Sequence, residues 1–386
     1  MDYLALFMPT RSSNPVGKGT RRRLFFDVYL SPGNWILAGV ICCMILGSVG
    51  LFIEFVNPSL KGLNSLRIGA DSDFYLWLAG LRQDLPEGYL GGNDVNLVAF
   101  GSNLLGPELI AWSLRSNVLI LVFNYVVLLF SIRMFAEAEN IRPILLAFLL
   151  LANPSVLVSV LTLNKEILAL LSVALLGKYL ASDRRSKGLL LLLLLVSFLA
   201  RWEHCAVVLF FLAITAKANP LRYWRKLQIV IMVAVISVAY PFVPHLAQTF
   251  GSESFQGTTV GQLTEVQSHF LYFVVAFPKI CLNLFGGIAG LAHLGRTSSD
   301  PNDVYSTVIV PWSSIMNLVV ASWFVLRRRV RLSNDLVFFA AIYLLLFAVT
   351  PFVQYRYFLP QYYVMCLEIA RRVAPRKYRV LQDSLA

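Results

Sequence analysis

Charge is what this 386-residue chain has least of. Asp, Glu, Lys and Arg make up only 14% of it, hydrophobic residues make up 58%, and the mean hydropathy is +0.68. A water-soluble domain of this length needs a far more polar surface, so the deficit excludes one and points to a polytopic helical membrane protein. Cysteine is scarce too. Cys42, Cys43, Cys205, Cys281 and Cys366 lie in apolar surroundings without a C-x-x-C pair, which argues against a disulfide framework or a zinc site. No repeat of fixed period is visible, nor the inverted symmetry common in secondary transporters. Uniformly apolar runs near 20 residues select helices over a barrel, because each helix satisfies its own backbone in hydrocarbon.

What charge there is has a strong bias, with a net of +12. Its Lys and Arg residues fall in short stretches between apolar runs, where they report topology and give no support to nucleic-acid binding. Arg21, Arg22 and Arg23 precede a first span at 35–53 and place the N-terminal segment 1–34 in the cytoplasm. That span lacks a small-residue cleavage signature and reads as retained. Residues 54–116 form a first periplasmic loop, in which 73–81 and 97–114 suit the membrane surface. Further spans are expected at 117–136, 143–163 (kinked at Asn153-Pro154), 167–181, 188–200, 205–216, 228–246, 308–326, 336–353 and 358–370. The large outer loop 247–307 contains an apolar segment, 269–294, broken at Pro278-Lys279 and Gly286-Gly287. It reads as a re-entrant hairpin or as surface helices. The expectation is one integral membrane domain over 1–386 with about ten spans. Both termini, including the tail 371–386, would lie in the cytoplasm.

Four polar clusters fall on the outer side of this scheme. Asp71 and Asp73 stand at i and i+2, off a common helix face, so one suits a general base and the other an anchor or cation ligand. An Asx-type helix cap before Phe74 is the plainer reading. Lys165 and Glu166 sit in a short break between two apolar runs, where charge at bilayer depth costs about 2.5–3.5 kcal/mol each. A snorkelling pair at a turn would also explain them. Arg201, Trp202, Glu203 and His204 put a cation, an aromatic plane, a carboxylate and an imidazole within one turn, or simply anchor an interface. The run before 201 is short, about 20 Å against a core near 30 Å, so Arg201 is expected below the headgroups. Tyr355, Arg356 and Tyr357 form an aromatic belt around one arginine.

Together the clusters supply three cations (Lys165, Arg201, Arg356) and at least two acids at one face. Clustered cations suit a phosphate or diphosphate, and tyrosine and tryptophan faces suit sugar rings. A lipid-linked diphosphoryl sugar meets that description, since its leaving group is activated and needs only charge stabilisation and a base. No cofactor is required, and a divalent metal at Asp71 and Asp73 is left open.

The residues 69–75 resemble the Gly-x-Asp-x-x-x-Tyr pattern of EpsG-like exopolysaccharide proteins, and the acidic loop resembles the first outer loop of GT-C membrane glycosyltransferases. Asn153-Pro154, Asn164-Lys165-Glu166 and Arg356-Tyr357-Phe358-Leu359-Pro360 look like segments of Wzy- and EpsG-like polysaccharide polymerases. The resemblance implies joining of undecaprenyl diphosphate-linked saccharide units, donor to acceptor, at the periplasmic face during O-antigen or exopolysaccharide synthesis. The clusters themselves supply Asp71, Asp73 and Glu166 as catalytic candidates, Asp71 as base from its place in the first outer loop. They supply Lys165, Arg201, Glu203, His204, Tyr355, Arg356 and Tyr357 as substrate-binding candidates, with Arg201 and Arg356 gripping the diphosphate. Partners would be the lipid-linked substrates, the bilayer and other assembly proteins such as a chain-length regulator. A lipid-linked saccharide flippase or other multi-pass transporter is the alternative, and would line a path across the membrane with polar residues.

Overall fold

The helices of this chain are long runs of Leu, Val, Ile and Phe, and what varies is how each one starts and stops. The computed structural model describes residues 39, 47, 97–114, 117–139, 141–182, 184, 186–242, 259–293, 308–327, 330–350 and 355–371. Asp71, Asp73, the expected first span apart from residues 39 and 47, residues 54–96 of the expected first loop, and the tail beyond Arg371 lie outside these. Among the described residues there is no strand, only an isolated bridge between Ile141 and Arg371. The helices are α1 (Leu97–Leu114), α2 (Asn117–Ala138), α3 (Pro143–Leu151), α4 (Pro154–Leu161), α5 (Glu166–Ala181), α6 (Lys187–Ala200) and α7 (Trp202–Ile214). They continue with α8 (Arg225–Ala239), α9 (Thr259–Ser268), α10 (Tyr272–Phe285), α11 (Val310–Leu326), α12 (Asp335–Phe347) and α13 (Leu359–Ala370).

Starts follow ordinary capping chemistry. Ser186 Oγ accepts from the Leu189 amide to open α6, and Asn334 Oδ1 accepts from the Leu336 and Val337 amides to open α12. Pro143 and Pro154 occupy first turns, where a missing N–H is harmless. By length and composition three helical stretches can cross a membrane: Leu119–Ala138, Arg225–Phe242 and Tyr272–Ala289. The pair α3 and α4 makes a fourth if counted as one broken span.

One end of the bundle is closed by ion pairs. Asp335 takes Arg184 at 3.3 Å and Arg225 on its two oxygens. Glu368 accepts from Asn334 at 2.7 Å and pairs with Arg371, which also reaches Glu139. The basic segments after α5, α7 and α13 therefore meet at one end, as alternating spans require. The segments 162–165, 201–204 and 355–358 lie at the other.

The expected kink at Asn153-Pro154 is a bend of 91°. Asn153 Oδ1 caps α4 through the Ser155 amide at 3.0 Å, and the same amide donates to Ser313 Oγ of α11. After about 14 Å of α3 the chain turns sideways and does not complete a straight crossing. Helices α6 and α7, with 14 and 13 residues, reach about 21 and 20 Å against a core near 30 Å. Each is thus shorter than a full crossing of that core.

The segment over 269–294, expected to be a re-entrant hairpin or surface helices, is helical through Pro278 and continues as a 3-10 turn over Gly286–His293. It is one of the three stretches long and apolar enough to cross a membrane. Tyr272 Oη donates to the Leu345 carbonyl and the Phe273 amide donates to Ser237 Oγ, far along α12 and α8 from Asp335. A Cβ on Gly287 would meet Ser314 Oγ and Val310 at the opposite end of α11 from Arg327. The segment 97–114, expected at the surface, is one helix whose Gly106 lies against the Leu199 carbonyl, where a Cβ would come within 2.1 Å.

Candidate functional site

Each residue of the site stands at a helix break. Thr162 ends α4 in an extended conformation, the chain crosses Leu163-Asn164-Lys165, and Glu166 opens α5. A carboxylate in a first turn faces the positive pole of the helix dipole. Arg201 is the single extended residue between α6 and α7 (φ −167°, ψ 140°), so α6 ends and α7 begins on it. Tyr355–Phe358 is a 3-10 turn that leads into α13.

The breaks converge. Arg201 Nη2 donates to Glu166 Oε1 at 2.6 Å, with the two side chains only 9% and 3% exposed. The guanidinium lies 3.9 Å from the centre of the Tyr357 ring, a cation–π contact worth about 2 kcal/mol when desolvated. Glu166 Oε2 is buried and makes no hydrogen bond to any described residue. Tyr363 Oη donates to the Glu166 carbonyl at 3.4 Å. Residues 166, 201 and 357 thus form one buried cluster that ties α5, the α6–α7 break and the turn before α13 together.

A second layer supports it. His204 Nε2 lies 2.9 Å from Ser172 Oγ, Ser172 Oγ lies 2.6 Å from Ser197 Oγ, and Ser197 donates on to the Leu193 carbonyl. This relay joins α5, α6 and α7, as interhelical hydroxyls do in membranes. Tyr343 meets the His204 ring edge-on at 5.5 Å and stacks on Phe347 at 4.4 Å, and Phe347 leads to Tyr357.

The expected residues therefore fare differently. Glu166, Arg201, His204 and Tyr357 stand in the cluster or its support, Lys165 is buried beside it, and Glu203 is half-buried in the first turn of α7. Tyr355 and Arg356 belong to the same 3-10 turn as Tyr357. Asp71 and Asp73 fall outside the described residues. Arg201, expected to be open to a diphosphate, has one arm committed to Glu166, so it holds the carboxylate in place and sets the local field. Among the described residues no three His, Cys, Asp or Glu side chains gather as a metal site would need. Cys205, Cys281 and Cys366 are free thiols.

Sequence reasoning missed Ser172, Ser197 and Tyr343. The serines are lone hydroxyls in Leu-rich helices, which is the signal that marks them. Comparison of the chain with family models, with curated proteins and with solved structures finds no match.

Proposed function

We propose that this chain is a multi-pass membrane glycosyltransferase that joins undecaprenyl diphosphate-linked saccharide units at the outer face of a bacterial inner membrane. The observation that carries the reading is the buried Glu166–Arg201–Tyr357 cluster, built from three breaks far apart in sequence, which this reading sets below the outer bilayer surface. Lipid-buried ionic groups are kept where they serve substrate or partner. Glu166 Oε2, without a protein partner among the described residues, can accept the hydrogen bond of an acceptor hydroxyl. The hydroxyl oxygen attacks the anomeric carbon of the donor and its proton passes to Glu166. The bond from that carbon to phosphate breaks, and the lipid diphosphate leaves with the electron pair. Lys165 and Arg356 are the cations assigned to the departing phosphates, and Asp71 and Asp73 the further acids of the outer loop.

The test is lipid-linked oligosaccharide and surface-glycan analysis of a strain lacking the protein, complemented with Glu166→Gln or Arg201→Lys. Removal of the base lowers polymer formation at least about 100-fold, leaving a single repeat unit on the surface. Normal polymer from Glu166→Gln at wild-type protein level removes the assignment.

One feature favours the transporter reading. A helix broken by 91° within the bundle, its break capped by Asn153 and Ser313, is the kind transporters place at a binding site. The glycan decides here too, since loss of flipping leaves no surface glycan and loss of polymerisation leaves one unit.

A further inference from the structure

Lys279 stands apart from the cluster and is the most deeply buried cation described, at 0% exposure in the apolar helix α10. Its Nζ donates to Gln267 Oε1 at 2.7 Å. The amide is held with its oxygen towards the lysine because Gln267 Nε2 donates to the Val349 carbonyl at 3.0 Å. An ammonium has three donors and this one meets a single neutral acceptor; among the described residues no carboxylate pairs with it. Burying an ammonium without a counter-charge is among the costliest things a fold can do. One turn on, Asn283 donates from Nδ2 to the Lys279 carbonyl, and its own Oδ1 is buried without a hydrogen bond. Residues 279 and 283 share a helix face. An oriented ammonium thus shares a face with an unsatisfied acceptor, in a helix packed against the turn Tyr355–Phe358 and at the same end of the bundle as Glu166.

We propose that Lys279, with Gln267 and Asn283, forms a binding site for the phosphate of a lipid headgroup, together with a hydroxyl borne on or next to that phosphate. The ammonium takes a non-bridging phosphate oxygen and Asn283 Oδ1 takes the hydroxyl. A point charge on a flexible stem suits phosphate without demanding a planar fork. The site does not depend on a transfer step, and a flippase would need such a grip equally.

The probe is undecaprenyl phosphate, with its binding to the purified full-length protein in phosphatidylcholine nanodiscs measured by titration. Three variants are compared. Lys279→Met removes the charge, Lys279→Arg keeps it, and Gln267→Glu places a carboxylate on the ammonium at nearly constant shape. At least tenfold weaker binding is expected for Lys279→Met and Gln267→Glu, and within about threefold of wild type for Lys279→Arg. Gln267→Glu keeps the test open where Lys279→Met fails to accumulate. Competition by phosphatidylglycerol vesicles at equal affinity identifies a bulk phospholipid as the source of the phosphate. Competition by inorganic phosphate alone identifies the free ion, and resistance to both identifies the carrier lipid. Unchanged binding in Gln267→Glu overturns the proposal, as does a Lys279→Met protein that binds like wild type. The readout here is lipid-phosphate binding at Lys279 and not glycan formation, so failure here and failure of the transferase reading are separable.

Discussion

Arg201 carries a charge that only its neighbours make tolerable. Taking Glu166 away leaves a buried guanidinium uncompensated, so Glu166→Gln should lower unfolding stability by about 3–5 kcal/mol. Replacing both partners, as in Glu166→Gln with Arg201→Gln, should restore much of that loss, because a neutral pair has no desolvation cost to offset. Denaturant-induced unfolding in detergent measures both. Polymer formation should stay absent in the double variant if the ions serve chemistry, and return if they serve the fold alone. These residues were legible because a charge or tyrosine interrupting an apolar run is conspicuous. Their pairing was not, since the 35 residues from Glu166 to Arg201 contain no hint that the two side chains meet. Lys279 was noticed in the sequence as a break in its helix. Only the packing shows that it stays helical, is buried, and leans on an amide.

Elements explain why these side chains sit so deep. Helices α6 and α7 are too short to reach the far surface, and α4 runs sideways after its Asn153 cap. Replacing that cap in Asn153→Ala should cost about 1 kcal/mol and shift the thermal midpoint down. A larger effect belongs to Gly106, whose missing Cβ lets α1 lie on the end of α6. Gly106→Val would collide with the backbone of Leu199, which has no rotamer to escape into. Solubilised protein should melt lower and α1 should become protease-sensitive. Most helix starts were readable from hydropathy to within about three residues, since run length, proline and capping side chains act locally. The ends were less so: α8 ends at Ala239 and α12 at Phe347, short of the expected 246 and 353. The right-angle bend was not, because its direction is set by Ser313, over 150 residues away. The same holds for the α10 segment. Pro278 and a pair of glycines suggested a re-entrant hairpin or surface helices, whereas the chain stays helical through Pro278 and packs on its neighbours at Tyr272 and Gly287.

At the scale of the whole molecule the described helices alternate between an end laced by Asp335 and Glu368 and an end that holds Glu166, Arg201 and Lys279. In a background without native cysteines, Ser186→Cys and Ser268→Cys, both exposed, should be labelled from opposite sides of the membrane by an impermeant maleimide. Labelling from one side would break the alternation. The distribution of arginine foretold this arrangement, since basic segments cannot be translocated cheaply. The depth of the far end could not be foretold, because it depends on where neighbouring helices stop. That depth bears on the surrounding lipid. Leu191, Leu195, Phe198, Leu209 and Phe210 present an outward apolar wall about 20 Å tall. In a membrane, lipids touching this flank would compress to match it, which predicts an annulus of thinned bilayer there. Turnover in proteoliposomes should rise as acyl chains are shortened, and an ordinary membrane would offer a polyprenyl chain its easiest approach along that thinned seam.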